Sequence, residues 1–272
     1  MGGLLPVPMA RQRRALELFL SLGTSTSLLS AGLLGPTAYA ETLSATPHGA
    51  EQHGALLAEG GEGGEGGEGG HADHATEVTS STDLLVVLAQ MQGHLLVAQE
   101  LLSRREFQAA EPHVGHPIDE LYGAIAPALA ARGIPPFLAS LEALRQQVRL
   151  DPSASSTGQK LARAQAEIQA VQQAVQPGTS TADVVRALAA AAVAEYEGAV
   201  AQGQIVEVIE YQDARGFLLQ AQRLLRQASP QEPQSLAMER VIVSMLEAFP
   251  SVMPPQRASI TPMALEALAQ RL

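Results

Sequence analysis

The sequence contains no cysteine and no tryptophan, and only 3% of its residues are aromatic. Without cysteine there can be no disulfide, no thiolate-bound zinc, no iron–sulfur cluster and no lipid carried on an N-terminal cysteine. The absence also suits an oxidising compartment, where a free thiol is a liability. So few rings leave little surface for stacking on bases or sugars. Positive charge is scarce as well: 17 Lys and Arg stand against 28 Asp and Glu, a formal net charge of −11. Such a chain repels nucleic acid and anionic lipid and attracts cations. There is no hairpin signal and no sustained alternation of apolar and polar residues. After the first 40 residues no stretch has the roughly 18 uninterrupted apolar residues of a membrane span, so no transmembrane segment is expected in the mature chain.

The apolar residues that are present are mostly Ala, Leu and Val, and with Gln, Glu and Arg they favour helix. The 272 residues divide into three stretches. Residues 1–40 read as a signal peptide, 41–80 as a linker and 81–272 as an all-α domain. The expected architecture is an antiparallel helical bundle of about six to eight helices following a disordered N-terminal region.

Arg11, Arg13 and Arg14 precede a mildly apolar run over residues 15–34, and Ala38-Tyr39-Ala40 matches a small-x-small cleavage pattern. That order is the order of a secretory signal. The Arg13-Arg14 pair near Phe19-Leu20 resembles a twin-arginine signal, which exports folded proteins. Export to the periplasm or an equivalent extracytoplasmic compartment is therefore the expectation. The linker repeats Gly-Gly-Glu between Gly60 and Gly70. It cannot bury apolar surface, so a flexible acidic tether is expected. Its His48, His53, His71 and His74, with Glu62, Glu65, Glu68 and Asp73, form at most a weak divalent-metal tract.

Within the domain, Leu84, Leu88, Met91, Leu95, Ala98 and Leu102 recur at helical spacing and predict a helix over about 83–104, with Ser81 or Thr82 as its cap. His94 falls about 60° from the centre of that stripe, at the edge of the buried face. Pro117 suits a first helical position with His116 at the cap, and Pro127 should kink or split the helix that follows. Further helices are expected at about 136–149, 154–176, 181–201, 204–228, 231–248 and 260–271, separated by Pro and Gly breaks.

On the 204–228 helix, Val206, Glu210, Asp213, Phe217, Ala221 and Leu224 share one stripe. Two carboxylates on a core-facing stripe cost several kcal/mol unless something compensates them. Histidine is the obvious partner: His94, His113 and His116 are the only histidines outside the leader and linker. Facing helices that present His and carboxylate build metal sites in bundles. The candidate metal residues are therefore His94, His113, His116, Asp119, Glu120, Glu210 and Asp213. Imidazole with carboxylate and no thiolate suits Fe, Cu(II), Zn or Mn. Asp119, Glu120 or Glu100 can serve as acceptors for the far nitrogens of ligating histidines. The plainer reading is a structural network, with Glu210 and Asp213 paired to Arg104, Arg105 or Arg215.

His116-Pro-Ile-Asp119-Glu-Leu-Tyr-Gly123 resembles the His-x-x-Glu segment of imelysin-like proteins, exported helical bundles that include periplasmic components of iron uptake. The resemblance covers about eight residues and puts Asp in the Glu position. It implies His116 and Asp119 as metal candidates.

Two functions follow as expectations. One is an exported soluble bundle binding a transition metal, iron or copper, for uptake, storage or sensing, with an envelope protein as a further partner. The other is an envelope structural or interaction module whose buried His, Glu and Asp form a network without metal. A hydrolase has no support: there is no nucleophile elbow and no His-Glu-x-x-His.

Overall fold

Ser80 starts the domain. Its hydroxyl accepts from the Asp83 amide at 3.0 Å, and the Asp83 carboxylate takes the Ser80 amide at 3.4 Å. This reciprocal cap satisfies two of the donors that a helix start leaves open. The cap lies one residue before the earlier of the two expected positions. The structure, a computed structural model, describes Val78, residues 80–228 and residues 233–272. The expected leader and nearly all of the expected linker lie outside those residues.

The helices are α1 (Ser81–Ser103), α2 (Phe107–His116), a π-helical segment (Pro117–Tyr122), α3 (Gly123–Ala131), α4 (Leu138–Leu150), α5 (Ser155–Val175), α6 (Thr181–Ala199), α7 (Val208–Ala228), α8 (Pro233–Leu246) and α9 (Pro262–Ala269). Because α2, the π segment and α3 follow without a break, they form one bent rod. The described residues thus make an all-α bundle of eight rods.

α1 is the central rod. Leu84, Val86, Val87, Leu88 and Ala89 are all fully buried, so apolar side chains face its neighbours in every direction. A helix that is apolar all round belongs inside a core. By length and apolar content alone α1 could cross a membrane, but most of it is buried inside the bundle. It packs most extensively on α7, and α7 in turn on α6.

Two glycines set the α1–α7 spacing. A Cβ on Gly216 would lie 2.6 Å from the Gly93 carbonyl oxygen, and one on Gly93 would lie 2.8 Å from Phe217 Cδ1. Only glycine at both positions lets the backbones approach this closely.

The α2–α3 rod departs from the expected one. Pro117 does not begin a helix; the chain is already helical through Phe107–His116, with Pro112 inside it. Pro117 lacks the N–H that would continue the α ladder. The ladder widens there into a π turn, which commonly marks functional positions in helices. Pro127 is accommodated within α3.

The α6–α7 connection also differs. Val200–Ala201 and Gln204–Ile205 form a small antiparallel hairpin. Gln202 (φ 53°) and Gly203 (φ 75°) make its turn. Positive φ at both central residues is what a two-residue hairpin demands. The hairpin delays α7 to Val208, so Val206, expected on the core stripe, is 50% exposed.

Candidate metal centre

Four side chains converge where α1, α2 and α7 meet. His94 comes from α1, His113 and His116 from the last turn of α2, and Asp213 from α7. Each offers one nitrogen or oxygen, and these four atoms lie within 4.8 Å of one another. Asp213 is at the centre. Its Oδ1 is 2.7 Å from His94 Nδ1 and 2.7 Å from His113 Nδ1, and its Oδ2 is 3.2 Å from His116 Nδ1. The Gly93–Gly216 approach makes the first contact possible, because His94 follows Gly93 and Asp213 lies one turn before Gly216.

His113 and Asp213 are fully buried, His94 is 4% exposed and the His116 side chain 12%. Burial lowers the His94 pKa, overriding the Asp213 carboxylate. At His116 burial also disfavours the cation, but Asp213, with Glu120 and Asp119 behind it, outweighs burial and lifts the imidazole from 6.5 to about 9. Burial alone would protonate Asp213; the three imidazoles instead hold its carboxyl well below the usual range. The cluster therefore keeps an anion at its centre with a cation beside it, a place that protonated His116 or a metal ion can fill.

Tetrahedral neighbours around an ion at 2.0–2.2 Å stand about 3.3–3.6 Å apart, and directly opposite ligands about 4.0–4.4 Å. The 2.7 Å Asp213 contacts are about 0.6 Å shorter than the tetrahedral separation and the 4.8 Å span is longer than the opposite-ligand one, so the side chains must shift by about half an ångström to share one ion. Three imidazoles and one carboxylate fit Fe, Zn, Mn or Cu(II), and not a soft thiophilic ion.

Of the seven candidates, four are thus brought together. Asp119 is turned away: it binds Arg145 of α4 through both oxygens, at 2.7 and 2.8 Å. Glu120 stands at the margin, 3.9 Å from His116 Nε2, with its carboxyl pKa raised by burial. Glu210 is 3% exposed and is accommodated by Gly198 of α6, where a Cβ would collide with its carboxylate. It is not among the four converging groups. Arg104 and Arg215 both bind Glu100, the third residue expected to accept from a histidine.

Two polar residues were not anticipated. Glu195 of α6 is 9% exposed, and burial, with Asp213, Glu210 and Glu120 adding to it, raises its carboxyl pKa well above 4.5. Its spacing from Leu188, Ala192 and Ala199 was the available signal, the same one that exposed Glu210 and Asp213. Gln212 of α7 accepts from His113 Nε2 at 2.8 Å and donates to the Val252 carbonyl at 3.0 Å. No pattern in the sequence singles it out.

Residues 171–272 match the family of iron permease-associated 4-helix bundle domains. The matched part runs from the end of α5 through the four helices α6–α9, and so contains Glu195, Glu210 and Asp213. The three histidines precede it. No curated protein and no solved structure matches the chain. The imelysin-like reading is corrected by this match, which is to a different helical family. The structure shows why the short motif misled: Asp119, in its acidic position, serves Arg145 and not the histidine cluster.

Proposed function

We propose that the chain holds a transition-metal ion, iron above all, between His94, His113, His116 and Asp213, and serves iron uptake beside a permease outside the cytoplasm. The observation that carries this is the carboxylate of Asp213, fully buried with three imidazole nitrogens directed at it. A buried anion of this kind requires a cation, and imidazole with carboxylate is a donor set for iron. The match to iron permease-associated bundles supports the choice of ion and of partner. The basic, apolar, small-x-small order of residues 1–40 supports export. The role is that of a carrier or sensor whose cargo is the metal.

The test is metal analysis of untagged protein loaded with Fe(II) without oxygen. Wild type is expected to hold one ion, and Asp213→Asn to lose at least tenfold in affinity. Iron that stays at one per chain in Asp213→Asn overturns the assignment.

A second reading is favoured by one specific observation. The two 2.7 Å contacts to Asp213 close a hydrogen-bonded network in which a proton on His116 supplies the cation. A purely structural network predicts no rise in melting temperature with metal. It also predicts a loss of about 3–5 kcal/mol in Asp213→Asn, the cost of breaking a buried pair.

A further inference from the structure

We infer that Gln212 decides which nitrogen of His113 meets the ion, and through it how tightly the ion is held. This rests on the metal-centre reading above. The inference comes from hydrogen-bond directions that leave one solution. The Val252 carbonyl can only accept, so Gln212 must turn its amide nitrogen to it, at 3.0 Å. The amide oxygen then faces His113 Nε2 at 2.8 Å and can only accept in turn. Nε2 therefore carries a hydrogen, which leaves Nδ1 as the ring nitrogen able to meet an ion.

Nδ1 faces Asp213 Oδ1, 2.7 Å away, the edge at which a proton or a metal ion is shared between the two groups. His113, Gln212 and Asp213 are all fully buried, so water does not screen them. Gln212 thus prevents His113 from turning its Nε2 to the ion and presents Nδ1 to it. It is a positioning residue, not a ligand. A partner that fixes the far nitrogen of a ligating histidine typically contributes 10- to 100-fold in affinity. The anchor also ties the centre to the segment after α8, where Tyr211 binds the neighbouring Ser251 carbonyl at 3.1 Å.

Zinc is the probe, being redox-silent and diamagnetic. Long-range proton–nitrogen correlation spectra of the zinc-loaded full chain are expected to show His113 with hydrogen on Nε2 and zinc on Nδ1. Gln212→Met removes the acceptor at similar volume and is expected to lower zinc affinity about 10- to 100-fold. Gln212→Glu keeps an acceptor on Nε2–H and is expected to restore most of that loss. A merely structural glutamine would move neither the ligating nitrogen nor the rescue. Zinc on Nε2 in wild type, or wild-type affinity in Gln212→Met, overturns the inference alone. A wild-type chain that takes up no zinc overturns the metal-centre reading and this inference with it. If Gln212→Met does not fold, the wild-type spectrum decides.

Discussion

Replacing Gly216 by alanine should damage the metal centre without touching any of its four ligands. The added Cβ would stand 2.6 Å from the Gly93 carbonyl oxygen, 2.8 Å from Val97 Cγ2 and 3.0 Å from the Gly93 carbonyl carbon. The tightest of these is backbone, so it cannot yield by a rotamer change. Ordinary contact begins at 3.4 Å, so α1 and α7 must part there by 3.4 − 2.6 = 0.8 Å. His94 sits on the residue next to Gly93. If the separation is passed on in full, the 2.7 Å His94–Asp213 contact becomes 2.7 + 0.8 = 3.5 Å. Binding constellations tolerate about 0.5 Å of displacement. Overpacking costs about 1–3 kcal/mol, against which alanine gains about 1 kcal/mol of helix propensity over glycine. The net is about 0–2 kcal/mol, a fall in melting temperature of at most about 8 °C for a domain of this size. The protein should therefore stay folded while its metal affinity falls at least tenfold. Circular dichroism melts and a competitive metal titration on the same sample measure both. A folded Gly216→Ala variant with wild-type affinity would refute the claim that this helix crossing positions the centre.

Glu195 makes a pH-dependent prediction. Its folded carboxyl pKa lies well above 4.5 because of burial first and neighbouring acids second. The folded state then binds the proton more tightly than the unfolded chain does, so Glu195 lowers stability progressively as pH rises above about 4.5. Glu195→Gln should raise the melting temperature of metal-free protein at pH 7 and leave it nearly unchanged at pH 4; an equal shift at both would show that ionisation is not involved. Two further glycines separate packing from propensity. Gly198→Ala drives a Cβ into the Glu210 carboxylate and should destabilise, whereas Gly158 of α5 has nothing within 4 Å and its alanine variant should gain about 0.5–1 kcal/mol in denaturant melts.

The helices were legible because their apolar residues recur with helical period and their ends carry Pro or Gly. Leu84, Leu88, Met91 and Leu95 placed α1, and all four are fully buried. The site was legible in its chemistry: carboxylates on the apolar stripe of α7 required cationic or ligand partners, and the domain holds only three histidines. What spacing could not supply was direction. Asp119 and Glu120 are adjacent in sequence and both are candidates, yet in the π-helical turn after Pro117 one binds Arg145 and the other stands at the margin of the cluster. Asp119 ends on Arg145, a residue 26 positions away that no local pattern connects to it. Val206 was misassigned for a similar reason: two positive-φ residues, one of them Gln202, turn the chain before α7 begins.

The four clustered side chains come from two parts of the chain with different chemistry. The part that matches the iron permease-associated bundle supplies acid: Asp213, with Glu195 and Glu210 nearby and their carboxyls in the same buried field. The preceding helices α1 and α2 supply every imidazole. Neither part supplies both donor types to the four, so the cluster exists only when α1 lies on α7 at the Gly93–Gly216 crossing. Buried carboxylates without their histidines would leave α7 and α6 with uncompensated negative charge. Histidines without Asp213 would lose the anion that raises His116 and draws a cation inward. On the proposed function, metal binding and the docking of α1 on α7 are thermodynamically linked: an ion held by both parts would stabilise their contact by the free energy of its own binding.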